Sequence, residues 1–168
     1  MNHVRTFYLL LFLACLVLLG YGYYLQFVQG QEPCPLCIFQ RVAYIAVAVF
    51  ALIGFLHGAK NKWSRLYSAL IFLSAMTGSL IAGRQVWLQH LPADQVPECG
   101  PGLDYMLEIF PLSETIKMVF TGSGECAEVG WTFLSLSIAE WSLICFILLT
   151  ITSLIHSCRG YLFNTKLI

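Results

Sequence analysis

Residues 34–57 read CPLCIFQRVAYIAVAVFALIGFLH. Behind the two cysteines, the run from Ile38 to His57 carries a single charge, Arg41. About 20 apolar residues, at ~1.5 Å per residue in a helix, span a hydrocarbon core of ~30 Å. Three further runs have similar length: Phe7–Val28, Leu66–Gln89 and Phe133–Ile155. Lipid admits only helices and closed barrels, and none of these runs alternates with the period of a barrel strand. The expected fold is therefore an all-α integral membrane protein. It is a single membrane domain over residues 1–168, a bundle of helices at about 7–28, 38–57, 66–89 and 133–155.

Composition agrees. The chain is 58% hydrophobic and 11% charged, against about 25% charged in soluble domains, too little to cover a water-facing surface. Formal net charge is zero, which leaves no electrostatic case for nucleic acid. The first run resembles a signal peptide, with Arg5 ahead of it and Gly20-Tyr21-Gly22 imitating a cleavage site. It continues apolar through Val28, too far for such a leader, and is expected to stay as a helix.

Six of the nine Lys and Arg flank the runs on one side: Arg5, then Lys60, Lys62 and Arg65, then Arg159 and Lys166. The positive-inside rule makes that side cytoplasmic, with both termini. The loops at about 29–36 and 90–132 then face outward, and eight of the nine acidic residues fall in them, Glu140 being the exception. The longer loop is punctuated by Pro92, Pro97, Pro101 and Pro111 and has room for short helices at Leu103–Phe110 and Ser113–Phe120. Ile116, Val119 and Phe120 would form an apolar face on the second, suited to the membrane surface. Tyr21, Tyr23, Tyr24, Trp87, Trp131 and Trp141 read as an interfacial aromatic belt.

This topology places four of the seven cysteines on the outer side. Cys34 and Cys37 flank the start of the second helix, where unpaired N–H groups and the helix dipole favour a thiolate, the reactive form. Pro35 suits the first helical turn, where its missing N–H costs little. Arg41, one turn past Cys37, shares its face and would hold a thiolate or a carbonyl oxygen; the plainer alternative is a side chain snorkelling to the headgroups. His90 would position a ring or carry a proton, or else simply sit at the interface. Arg84 reads as structural.

Cys99 and Cys126 lie in polar, turn-like surroundings that read as exposed, Pro-Glu-Cys99-Gly-Pro and Gly-Glu-Cys126-Ala-Glu. In an oxidising compartment such thiols form a disulfide, either a static staple or, beside a redox Cys-x-x-Cys, an exchanging one. Cys15, Cys145 and Cys158 are expected to have no role. Zinc is not expected, because Cys99 and Cys126 each lack a near partner. His57 and His90 lie at opposite faces, which disfavours a haem.

Cys34-Pro-Leu-Cys37-Ile-Phe-Gln-Arg41, Gly83-Arg-Gln-Val-Trp-Leu-Gln-His90 and Gly124-Glu-Cys-Ala-Glu-Val-Gly-Trp131-Thr-Phe133 together resemble the disulfide bond formation protein DsbB family. Its members are quinone-reducing oxidases of the bacterial inner membrane, and the likeness covers nearly the whole chain. It implies that a periplasmic thioredoxin-fold oxidase, DsbA-like, attacks Cys99 in a Cys99–Cys126 disulfide. Cys126 then exchanges with Cys34 of a Cys34–Cys37 disulfide. It further implies that Cys37 delivers electrons to a quinone, ubiquinone or menaquinone, with Arg41 and His90 beside it. Gln40 departs from the acidic residue some members carry, and Ile138-Ala-Glu-Trp141 lacks a proline often found near there. Enzymes like vitamin K epoxide reductase also have four helices and a Cys-x-x-Cys, but late in the chain. A non-catalytic membrane protein with a stapled outer loop is the alternative of another class.

Overall fold

The protein, described as a computed structural model, is defined at residues 3–58, 62–92, 94–97, 105, 108–121 and 124–165, with side chains to Cys158 except that of Phe120. Cys99, Lys60 and Lys166, the side chain of Arg159 and half of Leu103–Phe110 lie outside the described residues. In chain order the elements are α1 (His3–Phe27), α2 (Pro35–His57), α3 (Lys62–Gln89), α4 (Leu112–Thr121), α5 (Gly124–Ala127), β1 (Thr132–Phe133), β2 (Leu136–Ser137) and α6 (Ile138–Thr165).

Four helices, α1, α2, α3 and the first 21 residues of α6, are long and apolar enough to cross a membrane. Their outward faces carry Leu10, Val17, Leu73, Leu80 and Leu148 in the open. In water such a surface would aggregate; in a bilayer it meets lipid. The chain is a multi-pass helical membrane protein, as its composition requires.

α3 packs between α2 and α6, while α1 lies mainly on α2. The seam of α3 and α6 is set by size. Phe146 is wholly buried, its ring stacked on Tyr44 with centroids 4.0 Å apart. A Cβ at Gly78 would collide with that ring. Small residues let helix backbones approach where lipid supplies no hydrophobic drive to associate. Polar ties close the end away from Cys34. The Tyr8 hydroxyl donates to the Ser64 carbonyl at 2.8 Å, and Ser68 Oγ meets His156 Nδ1 at 3.0 Å.

α2 begins at Pro35, three residues before the expected start, so Cys37 is already helical. It stops at Gly58, whose left-handed backbone (φ 59°) returns its N–H to the carbonyls of Gly54 and Phe55, as a helix C-terminus requires. The last helix differs more. Phe133, expected inside it, belongs instead to a hairpin in which Thr132 pairs with Ser137 and Phe133 with Leu136. Leu134 and Ser135 both take positive φ, 51° and 65°, which gives the turn the twist of a tight hairpin. Ser137 and Glu140 then start α6 as a reciprocal cap. The Glu140 N–H donates to Ser137 Oγ at 3.2 Å, and the Ser137 N–H donates to Glu140 Oε2 at 2.7 Å.

α4 forms where a short helix was expected, but with a different inward face. Thr115 and Val119 are buried while Ile116 points outward. Arg84 fixes its far end, donating from Nη2 to the Thr121 carbonyl at 2.9 Å. A cation there complements the negative end of the helix dipole, consistent with the structural role read for Arg84.

If the ring of Phe146 sets the α3–α6 distance, Gly78→Val overpacks the seam and destabilises the bundle by about 1–3 kcal/mol. Gly20→Val, at a position with open space around it, should leave it unchanged. Unfolding followed by helical circular dichroism in detergent compares the two, and equal midpoints would remove Gly78 from the packing argument.

Candidate functional site

Cys34 is the N-cap residue of α2, extended at φ −65° and ψ 161°, with no side-chain cap bond. Its sulfur is therefore not engaged in capping. The following Pro35 takes a position whose N–H would be unpaired in any case. One turn in, Cys37 brings its sulfur to 2.9 Å from that of Cys34.

The third thiol corrects an expectation. Cys126 was read as exposed because Glu125 and Glu128 flank it. It is 1% exposed. The single turn α5 aims Glu125 outward and turns Gly124 and Cys126 in. Cys126 packs in a small cluster with Cys34, Leu36, Ile81, Leu88 and Val119. The Cys34 thiol is held well above its ordinary value of 9.0, chiefly by hydrogen bonding to Cys126, then to Cys37, with burial adding to both. Three sulfurs thus meet at the mouth of α2.

Two glutamines that sequence reasoning did not assign complete this layer. Gln85 Nε2, on α3, donates to Cys34 Sγ at 3.3 Å and to Cys37 Sγ at 3.2 Å. Its Oε1 accepts from Gln40 Nε2 at 2.6 Å. Both side chains are buried, Gln85 at 4% and Gln40 at 5% exposed. The signal was present: an uncharged amide inside each of two apolar runs needs a partner in lipid.

Beside the sulfurs lies a cavity of about 540 Å³, walled by α1, α2 and α6, with Gln85 and Gln89 of α3, and roofed by the chain around Trp131. Leu18, Leu25 and Tyr44 supply apolar wall, while Cys34, Cys37, Gln40 and Arg41 reach its surface. Its size and sparse polar groups are those of a small-molecule site.

Arg41 reaches the cavity but does not turn to Cys37. Its guanidinium donates to Gln26 Oε1 at 2.5 Å and to the Gly22 carbonyl at 3.2 Å, and it lies 4.8 Å from the Tyr23 ring centre. His90 is elsewhere. It contacts the Val86 carbonyl through Nδ1 at 2.9 Å, faces Glu140 Oε1 at 3.8 Å and is 66% exposed, outside the cavity. Cys145 is half-buried on the cavity wall, and Cys15 is fully buried in the core.

The family model described as "Disulfide bond formation protein DsbB" matches residues 4–156. Curated relatives named "Disulfide bond formation protein B" match along most of their length. The protein of Hahella chejuensis is 53% identical over 143 residues, 85% of this chain and 87% of its own. That of Nitrosococcus oceani is 50% identical over 151 residues, covering 90% and 89%. That of Marinobacter nauticus is 45% identical over 157 residues, 94% of both chains.

A thiol with a raised pKa stays protonated at neutral pH and ionises only above its usual value. In the reduced protein, iodoacetamide should therefore label Cys34 at a rate that still climbs past pH 9. Cys126→Ala removes the largest cause and should bring that midpoint down. Peptide-level mass spectrometry of labelling between pH 6 and 11 reads both. A midpoint at or below 9 that ignores Cys126→Ala would separate the two sulfurs chemically.

Proposed function

The chain belongs to the disulfide bond formation protein DsbB family, and is thereby a membrane thiol oxidase of disulfide formation; from that premise we propose how it works. It reoxidises a periplasmic thioredoxin-fold dithiol oxidase of the DsbA kind and passes the electrons to a quinone in the bacterial inner membrane. The observation that carries this reading is the burial of Cys126 against Cys34, with Cys34 and Cys37 both reaching an apolar cavity.

Each exchange breaks one sulfur–sulfur bond and makes another. A thiolate of the partner attacks Cys99 and breaks Cys99–Cys126. The Cys126 thiolate attacks Cys34 and breaks Cys34–Cys37, leaving the Cys37 thiolate on the cavity wall. The partner's second thiolate attacks its own sulfur in the mixed disulfide, so the partner departs oxidised and Cys99 is released. Cys99 attacks Cys126 and restores the loop disulfide, and Cys34 and Cys37 are left holding two electrons. A quinone held in the cavity beside Arg41 would supply the two-electron acceptor; Cys34 and Cys37 give up two electrons and two protons as their bond re-forms.

The remaining residues prepare this chemistry. The α2 N-terminus favours negative charge on Cys37 as it leaves. Arg41 is the cation on the cavity wall assigned to a quinone carbonyl oxygen. His90, exposed beside Glu140, is assigned proton exchange with water. The apolar wall and the chain around Trp131 exclude water from the sulfurs. The basic flanks Arg5, Lys62 and Arg65 support cytoplasmic termini, and with them a periplasmic face for the cysteines.

The test is the purified protein in detergent with bound quinone, given a reduced thioredoxin-fold oxidase while quinone absorbance is followed. Wild type should reduce the quinone and Cys37→Ser should lose all turnover. With a partner whose second cysteine is replaced by serine, wild type should accumulate a mixed disulfide of that partner with Cys99, visible on a non-reducing gel, and Cys99→Ser should not. Absence of quinone reduction with every dithiol partner would overturn the reading.

A further inference from the structure

We infer that Gln85, held in orientation by Gln40, is a catalytic hydrogen-bond donor that stabilises negative charge on the Cys34–Cys37 sulfurs and so makes their disulfide a stronger oxidant. The inference rests on the reading above that this pair is the redox centre.

A primary amide has two N–H donors on one nitrogen and an oxygen that only accepts. Gln40 donates to the Gln85 oxygen at 2.6 Å, which fixes the end of the Gln85 amide that faces α3's neighbour. Its nitrogen is then turned to the thiols, 3.3 Å from Cys34 and 3.2 Å from Cys37, with one N–H for each. The pair comes from two helices, and both amides are buried. An amide buried in an apolar layer without hydrogen bonds is costly. Here the sulfurs are the acceptors that satisfy Gln85.

A disulfide sulfur is a poor acceptor, and a thiolate is a good one, since a bond to a charged group is roughly twice as strong as a neutral one. The Gln85 donors are therefore worth more after reduction than before it. By stabilising the reduced pair they raise its tendency to take electrons from Cys126, and they stabilise Cys37 as a leaving group. Gln40 is a positioning residue: its hydrogen bond occupies the Gln85 oxygen, which lies 3.6 Å from Cys37 Sγ and accepts from its thiol, and so keeps the nitrogen, at 3.2 Å, the nearer group when Cys37 becomes a thiolate.

The test uses the full chain with Cys99 and Cys126 replaced by serine, so that only Cys34 and Cys37 exchange with a reductant. It is equilibrated with graded dithiothreitol, and the fraction reduced is read by alkylation and mass spectrometry. Gln85→Leu should lower the equilibrium constant for reduction about tenfold, or about 30 mV for a two-electron couple. It should also slow labelling of reduced Cys37 at pH 7. Gln40→Leu should shift the equilibrium the same way by about threefold. Gln85→Glu, close in shape, donates only while protonated, so its deficit should deepen as pH rises through the carboxyl titration. A merely structural role would not produce that pH dependence.

Helical circular dichroism and gel filtration identify any variant that fails to fold, and the Glu variant keeps the question open to measurement in that event. An equilibrium within twofold of the parent in folded Gln85→Leu would overturn the inference. So would a shift in Gln85→Glu alone, which would assign the effect to added charge. Neither quinone nor partner enters this equilibrium. A shift found in a protein that reduces no quinone would sink the quinone reading and leave Gln85 standing. Quinone reduction with no shift would do the reverse.

Discussion

Lipid offers no hydrogen bond to a backbone group, and this constraint orders everything else in the protein. Each crossing must be a helix satisfied within itself, so the irregular chain that thiol exchange needs is confined to the helix ends. The sulfurs of Cys34 and Cys37 sit at that boundary. Cys34 is still extended, and its sulfur makes no cap bond. Cys37 is already in the helix and reaches the cavity. The helix start is where the loop cysteine Cys126 and the cavity both come within reach of the Cys34–Cys37 pair.

The same constraint governs the loops. Residues 124–137 must return to the bundle without a hydrophobic run to guide them, and short polar devices do this. α5 is one turn that presents Cys126 and Gly124 inward. Gly130 then passes so close to the Gln31 amide that a Cβ would collide with it, joining the segment to the chain that leads into Cys34. The hairpin and the Ser137–Glu140 cap turn it into α6, with Ser137 Oγ also donating to Gln89 Oε1 at 2.7 Å. Arg84 holds α4 against α3 from the other side. Cys126 is thus held between two anchored segments, which keeps an otherwise short and polar stretch against Cys34.

Much of this was legible in the sequence, and what was not has physical reasons. Membrane helices are legible because length and apolarity alone define them, and the Cys34–Cys37 pair because its spacing encodes one helical turn. Membership of the family was legible from three motifs around Cys34, His90 and Cys126, and the family model matches residues 4–156. Cys126 misled because its polarity was judged from its neighbours, whereas a single turn separates neighbours onto opposite sides. The start of α6 misled because Phe133 and Leu136 continue the apolar run; the Ser-x-x-Glu of the cap, four residues later, was the better guide. Gln85 was passed over because it lies 48 positions from Cys37, and no local pattern records a contact between helices. Arg41 was placed on the right wall of the bundle, but its partners on α1 could not be read from spacing on α2.

The placement of Arg41 bears on the chemistry as a whole. In a low-dielectric layer a full positive charge against a thiolate acts far more strongly than in water. It would hold the electron pair on sulfur, and a thiolate that is too stable is a weak nucleophile and a reluctant electron donor, since nucleophilicity falls with pKa. The guanidinium is instead turned to Gln26, Gly22 and the Tyr23 ring, and neutral amides face the sulfurs. Dipoles stabilise a transient charge without trapping it, and they cost less to bury than an ion. A relay has to accept electrons from one sulfur and release them to another acceptor within the same turnover. The neutral Gln85 donor at the sulfurs and a cation bonded instead to α1, on the wall of the same cavity, are an arrangement suited to both requirements.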